Sequence, residues 1–310
     1  MEEVNKEKWV FIVNPISGNC FGETMVPVLG EKIRKYNLDA EILLTERPGH
    51  ATELAKISAE KGVKYIIAVG GDGTLNEVAR ALVGNKQVIT GIIPAGTGND
   101  FNQIPGFHDR FTEDEWESFF RKNVIAHDVG IVNGMIFLNG MGIGFDAEVA
   151  AQNYTEEGKV RKGGADKYIW HIVKTLLFFR EKRMTVISEG TRHEMDCFMN
   201  TVSVGRRFAG SFFLTPEAIA NDGLLDVCSI NKINLFHRFR LLLLVPKGNH
   251  IKDKRVHYFK TPAITLEFPV KVPFHVDGEL SYAESFCISI IPGGLNLIYN
   301  PDGNHFYKRG

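Results

Sequence analysis

The apolar positions of this chain follow two different rhythms. Up to about residue 128, short solid apolar runs alternate with stretches of helical spacing. KWVFIVNP (Lys8–Pro15), DAEILLT (Asp39–Thr45), KYIIAV (Lys64–Val69) and VITGIIPA (Val88–Ala95) predict strands. Between them, Glu23–Tyr36 and His50–Lys61 predict helices, and Leu75, Val78, Ala79 and Leu82 recur on one helical face. Strand and helix in alternation imply a parallel sheet with helices on its faces. Ligands in such sheets bind beyond the carboxyl ends of the strands. Three polar loops lie at those ends: NPISG, GGDGT and AGTGND.

After Asp128 hairpin-like pairs take over. HDVGIVNGMIFLNGMGIGF (His127–Phe145) and MTVISEGTRHEMDCFMNTVSVG (Met184–Gly205) are followed by DGLLDVCSI, ITLEFPVKVPFHVDGEL and FCISIIPGGLNLIYN. Asn133-Gly134, Glu189-Gly190 and Asp277-Gly278 supply the turns. Helical stretches at Ala165–Lys182 and Asn234–Val245 interrupt this β region. The expected organisation is an α/β domain over residues 1–128, a mostly antiparallel β-sandwich domain over 129–294, and a segment, 295–310, returning to the first domain.

Composition narrows the classes. The 310 residues carry 36 Lys and Arg against 37 Asp and Glu, a net charge of −1, which argues against a nucleic-acid binder. Cys20, Cys197, Cys228 and Cys287 form no CxxC pair and have no matching His spacing, so neither a disulfide framework nor a zinc site is expected, and a reducing cytosol fits. MEEVNKEKW is no signal peptide. LLLLV (Leu241–Val245) and TLLFF (Thr175–Phe179) are too short to span a bilayer. A soluble, cytoplasmic protein is expected.

The chemistry concentrates in the loops. Gly70, Gly71 and Gly73 lack Cβ atoms, so their turn can take left-handed angles and approach a ligand closely. The helix that follows offers unpaired N–H groups suited to phosphate. Asp72 is out of place there, because a carboxylate repels phosphate unless a cation lies between them. AGTGNDF repeats the logic with Thr97, Asn99 and Asp100, and NPISG adds the Ser17 hydroxyl and the Gly18 N–H. A plain strand-ending turn stays open for each loop taken singly. No GxxxxGK[ST] and no GxGxxG in the first βα turn exists, which disfavours Walker and Rossmann sites. Asp222, before Gly223, reads as a turn acid or as a hard-cation ligand aided by carbonyls. Asp277 and Glu279 in HVDGEL read as turn acids by default. His250 and His275 have no ligand spacing and read as structural.

The run GGDGTLNEVARAL…GIIPAGTGNDF strongly resembles the diacylglycerol kinase catalytic-domain family, especially its soluble bacterial branch. The resemblance extends over almost the whole chain through NPISG, GIGFDAEVA (Gly142–Ala150), PEAIANDGLLDV (Pro216–Val227), KGNH (Lys247–His250) and VDGE. It implies an ATP-binding α/β lobe related to NAD kinases and phosphofructokinases, a β-rich lipid-binding lobe, and an active site between them. Nucleotide contacts then fall on Asn14, Pro15, Ile16, Ser17 and Gly18, on Thr45, on Gly71, Asp72, Gly73, Thr74, Leu75, Asn76 and Glu77, and on Thr97. The resemblance makes Asp72 the aspartate associated with catalytic Mg²⁺ and Glu279 the general base. It also makes Asp222, with the carbonyls of Ile219 and Leu224, a structural Mg²⁺ site. One departure stands out: Asn102-Gln103 replaces the family's usual Ala-Arg.

The implied activity is Mg²⁺-dependent transfer of the γ-phosphate of ATP to a primary hydroxyl of diacylglycerol or a similar lipid. The alternatives are a sphingosine- or ceramide-type lipid kinase and a non-catalytic nucleotide- or lipid-binding protein; joint retention of Asp72 and Glu279 favours catalysis. The lipid is expected at a membrane surface visited transiently, and a homodimer is left open. Ile169, Ile172, Val173, Leu176 and Phe179 share one helical side, expected to pack on the β domain rather than to lie in a bilayer interface. NLFHRFRLLLLV carries the same two readings.

Overall fold

The computed structural model describes residues 7–152, 165–188 and 190–308, the side chains of residues 165–169 excepted. It divides into two compact units, one formed by Met1–Val129, Ile219–Asp222 and Ile291–Gly310, the other by Gly130–Ala218 and Gly223–Ile290. The elements run β1 (Lys8–Val13), α1 (Ser17–Lys35), β2 (Asp39–Leu44), α2 (His50–Glu60), β3 (Tyr65–Gly70), α3 (Asp72–Leu82), β4 (Ile89–Pro94), α4 (Glu113–Phe120), β5 (Val124–Val132), β6 (Met135–Phe137), β7 (Gly140–Gly144) and α5 (Phe145–Gln152). There follow α6 (Ala165–Phe178), β8 (Lys182–Ser188), β9 (Thr191–Ser203), a short pair β10 (Arg207–Phe208) and β11 (Phe212–Phe213), β12 (Leu225–Asn231), α7 (Leu235–Leu244), β13 (Val256–Thr261), β14 (Ala263–Val276) and β15 (Glu279–Ile298).

In the first unit β2, β1, β3 and β4 lie side by side and parallel, and Asn296 and Leu297 at the end of β15 add a parallel neighbour to β4. The strands read as solid apolar runs because both faces are covered. Trp9, Phe11, Val13, Tyr65, Ile67 and Val69 point to one side, into a core with Met25 and Leu29 of α1 and Trp116 and Phe119 of α4. Val10, Ile12, Ile66 and Ala68 point to the other and are equally buried. Each such side chain contributes about 1.5–3 kcal/mol on full burial.

The regular part of the first helix starts two residues ahead of its predicted start at Glu23. Helical geometry is interrupted at Gly18, Asn19 and Cys20, with φ of 60°, 57° and 69°, so the right-handed helix follows only from Phe21 onward. A left-handed turn precedes it.

The second unit is antiparallel, as the hairpin texture predicts. Its strands run β13-β12-β9-β7-β14-β15, and β8 pairs with both β9 and β14. The two long strands are shared. Thr191–Cys197 of β9 pair with β8 while Met199–Ser203 pair with β7. Likewise Thr265–Glu267 of β14 pair with β8 and Phe274–Val276 with β7, with a register shift between Glu267 and Val272. Asn133-Gly134 and Asp277-Gly278 both take positive φ, as tight hairpin turns require. Glu189 of the third predicted turn lies outside the described residues, while its partner Gly190 has φ 76°.

The helix expected to reach Lys182 stops at Phe178. Arg238 of α7 takes over its last carbonyls: Nη1 donates to Leu176 O at 2.7 Å and Nη2 to Phe179 O at 3.2 Å, with Glu181 Oε1 2.7 Å away as counter-charge. Lys182 then starts β8. The predicted apolar stripe splits on packing. Ile172 and Leu176 enter the core and Phe179 packs at its edge, whereas Val173 faces out. The Ile169 side chain is outside the described residues.

Candidate functional site

Three loops of the first unit meet at the carboxyl ends of β1, β3 and β4. Asn14 opens the first; its N–H donates to Val69 O at 2.9 Å and its Nδ2 to Thr74 Oγ1 at 3.2 Å. Ser17 N–H donates back to Asn14 O at 3.2 Å, and Glu23 N–H to Pro15 O at 3.1 Å. The left-handed stretch then begins. A Cβ on Gly18 would overlap the Ala95 carbonyl of the third loop. Asn19 and Cys20 hold left-handed angles with side chains present, a conformation costing about 1–2 kcal/mol per residue and found mostly where structure overrides it. Ile16 is left 76% exposed at the head of this loop.

The glycines of the second loop do not take the left-handed angles expected of them. None of Gly70, Gly71 and Gly73 has a positive φ. What they supply is room. A Cβ on Gly96 would overlap Gly71 Cα, and one on Gly70 would overlap the Thr74 side chain, so the second and third loops touch backbone to backbone. Ala95 and Gly96 N–H groups donate to Gly70 O at 2.7 and 3.1 Å. Gly73 is exposed, and nothing lies within 4 Å of where its Cβ would be. The first N–H groups of a helix have no intrahelical acceptor, which places those of Gly73 and Thr74 at this junction.

Asp72 finds its main partners in the third loop. Its Oδ2 accepts from Asp100 N–H at 3.0 Å and its Oδ1 from Phe101 N–H at 3.1 Å, capping the 3₁₀ turn Asp100–Gln103. Asn99, buried with φ 51°, clamps Gly96 through both amide atoms at 3.0 Å. Thr97 and Gly98 are left exposed between these anchors. Asp72 is thus the carboxylate that stands at this loop junction. Asn102 is fully buried, with Nδ2 donating to His108 O at 3.3 Å, and Arg110 stacks its guanidinium on the Phe21 ring at 4.0 Å.

The other expected contacts of this unit divide. Thr45 is half-buried, and its N–H donates to Val13 O at 2.8 Å at the β1 end. Thr74, Leu75 and Asn76 have buried side chains, and Asn76 Oδ1 accepts from Arg80 Nε at 2.7 Å. The Glu77 carboxylate is committed to the start of α2, accepting from Gly49 N–H at 2.9 Å and Ala51 N–H at 3.2 Å. Asp222 N–H closes a turn onto Ile219 O at 3.4 Å, and Gly223 with φ 76° leads on through Leu224 into β12. Among the described residues no three His, Cys, Asp or Glu side chains cluster as a metal-binding group.

In the second unit the VDGE turn separates its two acids. Asp277 Oδ2 accepts from Leu138 N–H at 2.7 Å, and Oδ1 accepts from Asn139 and Gly140 N–H at 3.1 and 2.9 Å. Its own N–H donates to Gly140 O at 3.0 Å. Asp277 thus holds β7 to the hairpin. Glu279, paired across the turn with Val276, is exposed. Nearby on β14, His275 Nε2 lies 3.2 Å from Asp146 Oδ2, an ion pair when the imidazole is protonated. Sequence reasoning passed over this pair. Its only trace is Gly142 in GIGFD, where a Cβ would overlap the Asp146 carboxylate.

Two family models match this chain in succession: the diacylglycerol kinase catalytic domain over residues 8–132, and the YegS C-terminal NAD kinase beta sandwich-like domain over residues 139–299. The chain belongs to the family that joins a diacylglycerol kinase catalytic domain to a YegS-type C-terminal domain. Among its relatives is Bacillus subtilis YtlR, named for the lipid-kinase class without a named lipid, 29% identical over 93% of this chain and 98% of the relative. The diacylglycerol kinase of the same organism is 28% identical over 86% of this chain and 88% of its own length. A crystal structure of a Bacillus anthracis diacylglycerol kinase superposes with a TM-score of 0.71 at 22% identity, covering 97% of this chain and all of that one, which establishes the shared fold. The lipid-kinase class and the α/β plus antiparallel architecture read from the sequence therefore stand. No helix among the described residues is long and apolar enough to cross a membrane.

Proposed function

We propose that the chain is an ATP-dependent lipid kinase transferring the γ-phosphate to a primary hydroxyl of diacylglycerol or a close relative. The observation that carries this reading is the junction of three glycine loops, where backbone meets backbone at Gly71 and Gly96 and the first turn of α3 opens. Such a junction binds phosphates through N–H groups rather than side chains. Asn14 to Gly18, Thr45, Gly71 to Asn76 and Thr97 form the nucleotide contacts, with the N–H groups among Gly71 to Thr74 that lack an intrahelical acceptor facing the phosphates. Glu77 acts by fixing α2 beside them.

Mg²⁺, when bound, neutralises charge on the transferring phosphates, and Asp72 is the residue that would hold it. Asp222, with the Ile219 and Leu224 carbonyls, would hold a second, structural Mg²⁺. Glu279 is the general base. It takes the proton of the acceptor hydroxyl as that oxygen bonds to the γ-phosphorus, the bond from phosphorus to the β,γ-bridging oxygen breaks, and ADP departs with the electron pair. The proton then passes from Glu279 to solvent. Asp277, a second carboxylate in the same turn, already accepts from three N–H groups, which favours the exposed Glu279 as the base and leaves Asp277 as the alternative.

The test is a panel of diacylglycerol, sphingosine and ceramide incubated with labelled ATP and Mg²⁺, the products separated by thin-layer chromatography. Label in a phosphorylated diacylglycerol is the expected result. Label only in sphingosine or ceramide moves the substrate, and ATP binding without any lipid product overturns catalysis.

A further inference from the structure

Fourteen large apolar side chains are exposed among the described residues, and eight of them sit on α6 and α7. Trp170, Val173, Leu177 and Phe178 recur at helical spacing on α6, and Phe236, Phe239 and Leu243 do so on α7, with Leu235 at its start. The opposite sides of both helices are already used: Ile172, Leu176 and Leu241 are buried in the core of the second unit. A helix apolar on all sides is a helix whose second side awaits cover. The two helices are also locked together, since Arg238 of α7 is bonded to the last carbonyls of α6. Their outer sides therefore act as one surface. Phe178 is 74% exposed, Phe236 72% and Leu243 80%.

Charge identifies what covers it. From Trp170 to Arg180, and from Lys232 to Lys247, the sequence contains no carboxylate. Lys174, Arg180, Lys232 and Lys247 are exposed there, and Lys174 lies 5.1 Å from the Trp170 ring. Arg240 is exposed too, although Asp253 neutralises it at 2.8 Å. A second copy docking through the same patch would set these cations against themselves, because a two-fold contact is self-facing. An anionic bilayer instead takes apolar and aromatic side chains at its interface and draws cations to its headgroups.

We propose that the joined outer face of α6 and α7 is the surface by which this protein seats itself reversibly on an anionic membrane. The proposal adds a place of contact to the reading of the acceptor as a lipid, on which it rests for its purpose. Its test reads binding alone. Trp9 and Trp116 are buried, so Trp170 is the exposed one of three tryptophans. The full chain is mixed with phosphatidylglycerol vesicles whose acyl chains carry bromine, and with neutral phosphatidylcholine vesicles of the same kind.

Trp170 emission is expected to shift to the blue and be quenched on the anionic vesicles, far less on the neutral ones. A Phe178→Ser, Phe236→Ser, Leu243→Ser variant keeps Trp170 and is expected to partition about a hundredfold more weakly. Its thermal melting should match wild type, because all three side chains are in solvent. Unquenched Trp170, or equal partitioning of the variant, overturns the proposal. So does a wild-type dimer in sedimentation that the variant converts to monomer without any vesicle binding, which would make the occupant a second copy. A failed kinase assay alongside quenched Trp170 would remove the lipid-kinase reading and leave the membrane surface standing.

Discussion

The GGDG turn of the first unit and the VDGE turn of the second each place an aspartate beside a glycine, and each uses that aspartate to hold backbone. Asp72 takes two N–H groups of the third loop and Asp277 takes three of the segment entering β7. The difference is in what remains. Asp72 braces the loop junction itself, and on the proposed reading the same carboxylate also serves the phosphates there. In VDGE the same reading divides the tasks, with Asp277 bracing and the exposed Glu279 two residues on acting as base. A carboxylate's neighbours in sequence therefore do not reveal its employment; the count of N–H groups aimed at it does.

The largest effect that sharpens this contrast is expected at Asp72. Asp72→Ala should abolish turnover and also lower the melting temperature, because two hydrogen bonds to a charged acceptor, each worth about 1.5–3 kcal/mol, are lost together. Asp72→Asn keeps one oxygen to accept and should recover much of the stability without recovering turnover. Turnover near wild type in either variant at ordinary Mg²⁺ would reduce Asp72 to a brace. In the second turn the two effects should come apart. Glu279→Gln is expected to lower kcat by about 10²–10⁴-fold, the usual worth of general-base assistance, with unchanged melting and ATP binding. Asp277→Asn should do the reverse, costing about 2–3 kcal/mol of stability while the folded fraction keeps its kcat. Stopped turnover in Asp277→Asn with Glu279→Gln active would exchange the two roles.

Much of the architecture was legible because it rests on periodicity. Solid runs such as KYIIAV mark strands covered on both sides, and alternation with Asn-Gly and Asp-Gly turns marks the antiparallel unit. The loops announced themselves by glycine. Their reasons did not, since the crowding of Gly71 against Gly96 and of Gly18 against Ala95 depends on contacts distant in sequence. The same holds for Asp146 with His275, separated by 129 residues, and for Arg238 ending α6. The left-handed turn at Gly18–Cys20 was hidden because, although Gly and Asn take positive φ readily, a run of three such residues ending on Cys is uncommon. The apolar stripe on α6 was read as one surface where the structure has two, since a helix this apolar offers periodicity in both directions.

A smaller effect tests whether bracing acids extend beyond the two turns. Glu77 lies within the run expected to touch nucleotide, yet its oxygens accept from Gly49 and Ala51 at the first turn of α2. Glu77→Ala is expected to cost about 1–2 kcal/mol, as the loss of a helix-capping acceptor does. The Kd for ATP, measured by calorimetry on the folded variant, should move little. A tenfold weaker Kd with unchanged melting would return Glu77 to the nucleotide.

The smallest effect concerns a motif residue kept wholly inside. His250 of KGNH is fully buried; Leu214 O lies 3.1 Å from Nε2, and a carbonyl only accepts, so Nε2 carries the proton. Nδ1 is then a bare nitrogen, buried without a hydrogen-bond partner. Burial pushes its pKa below the usual 6.5, against a weaker upward pull from the Leu214 carbonyl. The sign follows from proton counts. Below pH 6.5 the unfolded imidazole takes up a proton that the folded one still refuses, so stability falls as pH drops from 6.5 toward the folded pKa and is level above it. His250→Gln can keep a donor to Leu214 O but cannot titrate. Melting temperatures of both proteins, followed from about pH 8 down to about pH 5, should therefore run parallel at the alkaline end and converge at the acid end. The remaining histidines cancel in the difference. Curves that stay parallel throughout would mean that folded His250 accepts its proton as readily as the unfolded chain, and that a relay or a water reaches Nδ1 from outside.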